Sequence, residues 1–261
     1  MDHVIEQQAL DSWDSFPLFQ LLNDYLRNHP SLSEGKFHKH LQDIFAPLII
    51  RYVDLMESSI GQSIHKGFEK ETWKGRGHGC LTSEDMLWKL DALQNFIKDL
   101  NWPDEVFGEH LEHRLKQMAA DMIEACTSRV MKHFDSWMKK GIVILNTNSG
   151  TDYVFPQECG VMVNVIIDCK AQALKLCSLN SGDMNRYHTK IDEYLEKGLI
   201  DMKKQLISKL LSVLDGLLKK LSRYDEGSFF SSILSLTVTI QVIYLNEFNI
   251  TKQLLILETC E

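Results

Sequence analysis

Residues 105–139 read EVFGEHLEHRLKQMAADMIEACTSRVMKHFDSWMK. Their apolar side chains recur with a spacing that neither a strand nor a loop would keep. Phe107, Leu111, Leu115, Met118, Met122, Cys126, Val130, Phe134 and Trp137 step by 4, 4, 3, 4, 4, 4, 4 and 3, which places all nine on one side of an α-helix. Pro103-Asp104-Glu105 opens the run, because proline loses no needed hydrogen bond in a first turn and acids suit the positive end of the helix dipole. Lys139-Lys140-Gly141 closes it with a basic last turn and a glycine stop. The spacing predicts one helix of roughly 35 residues, about 50 Å long.

The same period runs outward in both directions. Towards the N-terminus, Leu18, Leu22, Tyr25 and Leu26 share a face of a short helix closed by Pro30. From Lys36 to Thr72 a longer stripe passes through Pro47, where a kink is expected. Thr82 and Asp85 have the spacing of a capping box ahead of Leu87, Leu90, Phe96, Ile97 and Leu100, and Trp102-Pro103 ends that helix. Towards the C-terminus, Pro156 to Leu179 forms a further helix, and Asp183 is the expected cap of the next. There Ile191, Leu195, Leu199, Met202, Leu206, Leu210, Val213, Leu217 and Leu221 repeat every eleven residues, a period that keeps the stripe nearly straight along its helix. The expected architecture is all-α, an elongated bundle of long amphipathic antiparallel helices.

Two segments break the pattern. WKGRGHGC, residues 73–80, has three alternating glycines that no helix interior tolerates, so 73–81 reads as a mobile linker between a helical part at 1–72 and a long-helix bundle at 82–237. Val, Ile, Thr and Tyr crowd together in 238–261, where a short strand competes with a helical extension. The fold of this tail is left open by its pattern.

Composition bounds the function. The 261 residues are 44% hydrophobic and 25% charged, ordinary values for a packed chain, and 28 basic against 36 acidic residues give a formal charge of −8. That balance disfavours the phosphate attraction on which nonspecific nucleic-acid binding rests. Six cysteines with no CxxC pair read as reduced thiols of an intracellular protein. Charges such as Asp168 and Lys170 interrupt every apolar run well short of the ~20 residues a spanning helix needs.

No catalytic constellation emerges. His110 and His113 share a helical face, yet neither HExxH nor HxxEH is spelled, so no metal and no cofactor is expected. His38 and His40 point to different faces and are read as solvated. KGRGHG lacks the spacing of a phosphate loop, and no GxSxG elbow appears. The chain reads as non-enzymatic, with surfaces for partners. Lys203, Lys204, Lys219 and Lys220, joined by Lys209 and Arg223, crowd the end of the eleven-residue-period helix and are the candidate protein-binding residues, suited to an acidic helix or anionic headgroups.

DSWDSFPLFQLLNDYLR (11–27), GKFHKHLQDIFAPLIIRYVDLMESSI (35–60), TSEDMLWKLDALQNFIKDLNWP (82–103), HLEHRLKQMAADMIEAC (110–126) and KLSRYDEGSFFSSILSLT (220–237) resemble, in order, the Munc-homology (MUN) region of the calcium-dependent activator proteins for secretion, CAPS. The resemblance covers about 1–237; the loops KGRGHGC and GIVILNTNSGTD are atypical of it, and it ends near Val238. It implies an elongated helical module like those of vesicle tethering factors. It also implies binding of SNARE proteins such as syntaxin, priming of dense-core vesicles for calcium-triggered exocytosis at the synapse and elsewhere, and a cytoplasmic location at the plasma membrane or secretory vesicles. Membrane association in that family comes through domains with no counterpart here. On this reading 238–261 is an atypical, truncated C-terminus that either covers apolar surface or leaves it open. The alternative function is a helical scaffold that self-associates, or a truncated form that competes with the full-length protein.

Overall fold

The computed structural model describes residues 15–33, 35–139, 156–177 and 185–221, excepting the side chains of 177, 185–189 and 217–221. Six helices carry the described part: α1 (Phe16–Arg27), α2 (Lys36–Lys70), α3 (Leu81–Leu100), α4 (Glu105–Lys139), α5 (Gln157–Cys177) and α6 (Asn185–Leu221). Among the described residues there is no strand, only an isolated bridge between Arg76 and Gly79. The protein is an all-α bundle. The predicted tail at 238–261, the expected cap Asp183 and the stop Gly141 lie outside the described residues.

Contacts between the helices set their directions. Gly67 and Ser63 of α2 meet Thr82 and Lys89 of α3, so these two run antiparallel. Asp54, Gly61 and His65 of α2 meet Arg114, Met122 and Arg129 of α4 in rising order, which makes α2 and α4 parallel. Gly198, Gln205 and Lys209 of α6 meet Met131, Asp135 and Met138 of α4 in the same sense. The chain therefore runs up and down, and from α3 onward each helix packs against the two before it. Along α4, the partner α2 serves the first two thirds and α6 the last. α2 starts before α4 does and α6 continues past its end, so the array is longer than any of its helices.

The core follows the predicted stripes, with instructive exceptions. Leu111, Leu115, Met118, Cys126, Val130 and Phe134 of α4 are buried, as the spacing requires. In α1 the buried face is instead Phe16, Phe19, Asn23 and Leu26, while Leu18 and Tyr25 face solvent. An asparagine sits in that face because the end of α3 needs it. Asn23 Nδ2 donates to the carbonyls of Leu100 (3.2 Å) and Asn101 (2.9 Å), two groups left without helical partners. Its Oδ1 accepts from His38 Nε2 at 2.9 Å. His38 is consequently 1% exposed, not solvated as its sequence position indicated, whereas His40 is on the surface. Phe19 stacks on Trp102 at 5.0 Å and packs on Phe45, anchoring α1 over the same junction.

Where the glycines indicated a mobile linker, residues 71–80 are anchored at Trp73 and at Gly79–Cys80, with 74–78 exposed between them. Trp73 is 3% exposed, stacked on Phe68 at 5.6 Å and set against His133 of α4. Its backbone takes the left-handed conformation (φ 56°), a strain of about 1 kcal/mol that burial of the indole outweighs. Gly77 also has positive φ (59°) and closes the turn between Arg76 and Gly79. α3 starts at Leu81, with a capping box of Cys80 and Ser83 in place of the predicted Thr82 and Asp85. Thr82 is engaged elsewhere: its N–H (3.0 Å) and Oγ1 (2.6 Å) donate to Glu71 Oε2 at the end of α2. The other carboxylate oxygen accepts from the backbone N–H groups of Thr72 and Trp73. One side chain thus ties the exit of α2 to the entry of α3.

Burial alone would lift the Glu71 carboxyl, but hydrogen bonds from the Thr82 side chain and backbone, from Cys80 and from the Trp73 backbone outweigh it and hold the group below its usual 4.5. A depressed carboxylate contributes stability that is complete above the unfolded-state pKa and is lost as pH falls through the lower folded-state value. Glu71→Ala is therefore expected to cost about 1 kcal/mol near neutrality, the usual worth of a helix cap. In urea titrations at several pH values, the gap between wild type and variant should close below pH 4.5. At Gly67 an added Cβ would lie 2.5 Å from Thr82 Cγ2 and 2.7 Å from Oγ1. Because the hydrogen bonds to Glu71 pin that threonine, overpacking of about 1–3 kcal/mol should outweigh the helix-propensity gain of about 1 kcal/mol in Gly67→Ala. A lower urea midpoint for Gly67→Ala than for wild type is the expected result.

Candidate partner-binding surface

α6 presents the surface that the sequence singled out. Its first half packs by Ile191, Leu195, Gly198 and Met202, and Gly198 brings the backbone so close that its Cβ position would lie 3.0 Å from Met131 Sδ. Gln205 Nε2 donates to Asp135 Oδ1 at 2.7 Å. Lys209 Nζ donates to the Met138 carbonyl at 3.1 Å, a cation set on the negative end of α4. Met138 is one residue from the end of α4. Residues 210–221 consequently run beyond it, and the predicted stripe fades there: Leu210 and Val213 are only half-buried. A second apolar row, Ile200, Ile207, Leu211 and Leu214, is exposed, with Leu211 at 60%.

Of the four candidate lysines, Lys203 and Lys204 do not share one face. Lys203 and Lys204 are both exposed, but neighbours on a helix point about 100° apart, and these two flank the exposed apolar row on opposite sides. Lys219 and Lys220 belong to the last turns of α6, and their side chains lie outside the described part. A further basic element escaped the sequence reading because it comes from another helix. Lys132, Asp135, Ser136 and Lys139 of α4 line an open depression of about 480 Å³ beside the Gln205 contact. Their i, i+3, i+4, i+7 spacing was a legible signal, but its proximity to α6 was not.

His110 and His113 are exposed on α4. Among the described residues no three histidine, cysteine or acidic side chains converge as a metal would require. No described helix is long and apolar enough to cross a membrane.

Comparison with known proteins places this surface in context. The sequence profile of the MUN domain matches residues 1–258, a span that runs past Thr237 and through most of the tail. The calcium-dependent secretion activator of Drosophila melanogaster is 46% identical over 293 aligned positions, which cover 91% of this chain and 20% of that protein. The chain spans about a fifth of the length of that relative.

The thiols are built into the interior. Cys80, Cys126, Cys159 and Cys169 are free and buried; Cys260 lies outside the described residues, as does the side chain of Cys177. Burial raises Cys80 to about 11 and Cys159 to about 12. Cys126 is raised by its hydrogen bond with Cys169 across the α4–α5 contact and by burial. A thiol becomes a nucleophile only as the thiolate, so Cys80, Cys126 and Cys159 are unreactive in the folded chain, and Cys169 is shielded by burial. Treatment with iodoacetamide near neutral pH is expected to leave all four unmodified by mass spectrometry, and denaturant should expose them together.

Proposed function

Because the chain belongs to the MUN-domain family and is not an enzyme, we propose that it is the helical interaction module of a secretion-priming protein. Its partners are SNARE proteins such as syntaxin, and its role is to promote assembly of the fusion complex before calcium-regulated exocytosis of dense-core vesicles. The observation that carries this reading is the extent of its likeness to a secretion activator, 46% identity across 91% of the chain. The geometry of α6 supports it: exposed Lys203 and Lys204 on a helix that outruns its neighbours are accessible to an acidic partner helix. With a fifth of the relative's length covered, calcium and lipid responses are assigned to other parts of such proteins. The module then acts in the cytoplasm, held at the plasma membrane or secretory vesicles by those parts.

A second reading, a scaffold that self-associates, is favoured by one observation, the exposed row that includes Leu211. Sedimentation at several concentrations separates it from the first, because only a scaffold grows in mass as concentration rises.

The test is titration of the purified chain with syntaxin and with assembled SNARE complex at two salt concentrations, beside a variant carrying Lys203→Glu, Lys204→Glu, Lys219→Glu and Lys220→Glu. Each reversed surface charge removes about 0.5–1 kcal/mol, so binding is expected to weaken by at least ~10-fold, and more at low salt. Affinity equal for both proteins would remove the partner from α6, and no binding by the folded chain would overturn the SNARE assignment.

A further inference from the structure

α1 carries two apolar faces, and only one of them is closed into the core. Phe16, Phe19 and Leu26 are buried, whereas Leu18, Leu22 and Tyr25 follow one another along a flank where Leu18 is 37% and Tyr25 56% exposed. α2 repeats the arrangement. Phe37, Ile44, Leu48 and Leu55 recur by 7, 4 and 7 residues, a seam about 27 Å long whose members are exposed or half-buried.

These two flanks look the same way. Asn23, Phe19 and Phe16 of α1 meet His38, Phe45 and Tyr52 of α2, so the pair is an antiparallel hairpin. Arg27 of α1 donates to the carbonyl and to Oδ1 of Asn101 at the end of α3, each at 2.7 Å. Glu57 of α2 accepts from Arg114 of α4 at 3.1 Å. At about 100° per residue, Leu18 and Tyr25 lie about 160–180° round α1 from Arg27, and the seam of α2 lies about 140–180° round from Glu57. α3 and α4 pack on each other and therefore occupy one side of the hairpin, so both apolar flanks face the other side. There Leu18, Leu22 and Tyr25 stand opposite Phe37, Ile44 and Leu48 as the walls of a groove that no described helix covers.

Charge is segregated about this groove. Arg51 at its rim and Lys66 beyond its end are exposed along the seam side of α2. The acids of that stretch are turned about 100° or more away from the seam, and two of them, Asp54 and Glu57, serve Arg114 of α4. On α1, Asp24 is turned about 100° from Tyr25. A second copy docked face to face would set one basic rim against another, a like-charge arrangement that costs affinity.

We propose that this groove binds an acidic amphipathic helix of another protein, whose apolar stripe lies between α1 and α2 while its carboxylates meet Arg51 and Lys66. Tyr25 and Phe37, aromatic and accessible, are its anchors. The surface shares no helix with the basic end of α6, so it does not depend on which partner α6 meets.

Titration of the full chain with two designed peptides tests it. Both are amphipathic helices of about 18 residues, the length of the seam, with the same leucine stripe; one carries glutamates on its flanks and the other lysines. The glutamate peptide should bind, less tightly as salt rises, and the lysine peptide should bind at least ~10-fold more weakly. Leu18→Asp/Phe37→Asp should weaken the glutamate peptide at least ~10-fold. Arg51→Glu, a surface change that leaves the apolar walls and the fold intact, should weaken it about 3–5-fold. Trp88→Asp, which removes a 68% exposed aromatic from α3, should bind as wild type does. The proposal is overturned if neither peptide binds, if both bind equally, or if Arg51→Glu leaves the affinity for the glutamate peptide unchanged. It is also overturned if the chain alone dimerises as concentration rises and Arg51→Glu shifts that equilibrium, because the groove would then belong to a second copy.

Discussion

The apolar seam of α4, from Leu111 to Phe134, is shared among α2, α3, α5 and α6. Its fully buried large side chains include Leu111, Leu115 and Phe134, each worth about 1.5–3 kcal/mol on burial. Isolated helices are marginal in water and draw most of their stability from such packing. A single 35-residue helix that meets one partner early and another late makes neighbouring three-helix groups one continuous body. The stagger also gives the described array its length: α2 starts ahead of α4 and α6 runs past it, so among the described helices each end has fewer neighbours.

Where helices end, polar groups must be answered, and here they are answered from a distance in sequence. Asn23 of α1 takes the last carbonyls of α3, Glu71 at the exit of α2 takes the first donors of α3, and Lys209 of α6 takes a carbonyl at the end of α4. Buried polar groups are tolerable when paired and costly when not. These contacts therefore fix how far each helix slides along its neighbour, something apolar seams alone leave loose. The capping of α3 by Glu71 also explains how a glycine-rich turn can be held in place, with Trp73 driven inward to close it.

The chain belongs to the MUN family, and the proposed function rests on a surface rather than on a pocket with chemistry. The four buried cysteines serve as small apolar fillers, and the thiols of Cys80, Cys126 and Cys159 are held far from ionisation. On the proposed function, α6 offers a partner exposure and positive charge around one helix, and such surfaces act through electrostatic steering and complementarity.

Periodicity alone determined the helical class, the spans of α2, α4 and α6, and most of the buried face of α4, because a 3.6-residue period is a local property that the chain writes residue by residue. The ordered segments shared with the secretion activators named the family for the same reason, as a linear record. Three things were decided only in the tertiary structure. Asn23 and His38 are core residues because α3 ends beside them, and nothing local announces that neighbour. Trp73, at the head of the glycine-bearing connection, is a core residue because it finds Phe68 and His133. Lys203 and Lys204, adjacent in sequence, straddle an exposed apolar row because α4 and α5 claim the opposite side of α6. Composition records which side chains the chain carries; their partners depend on which helix ends meet, and that is settled by packing between residues far apart in the chain.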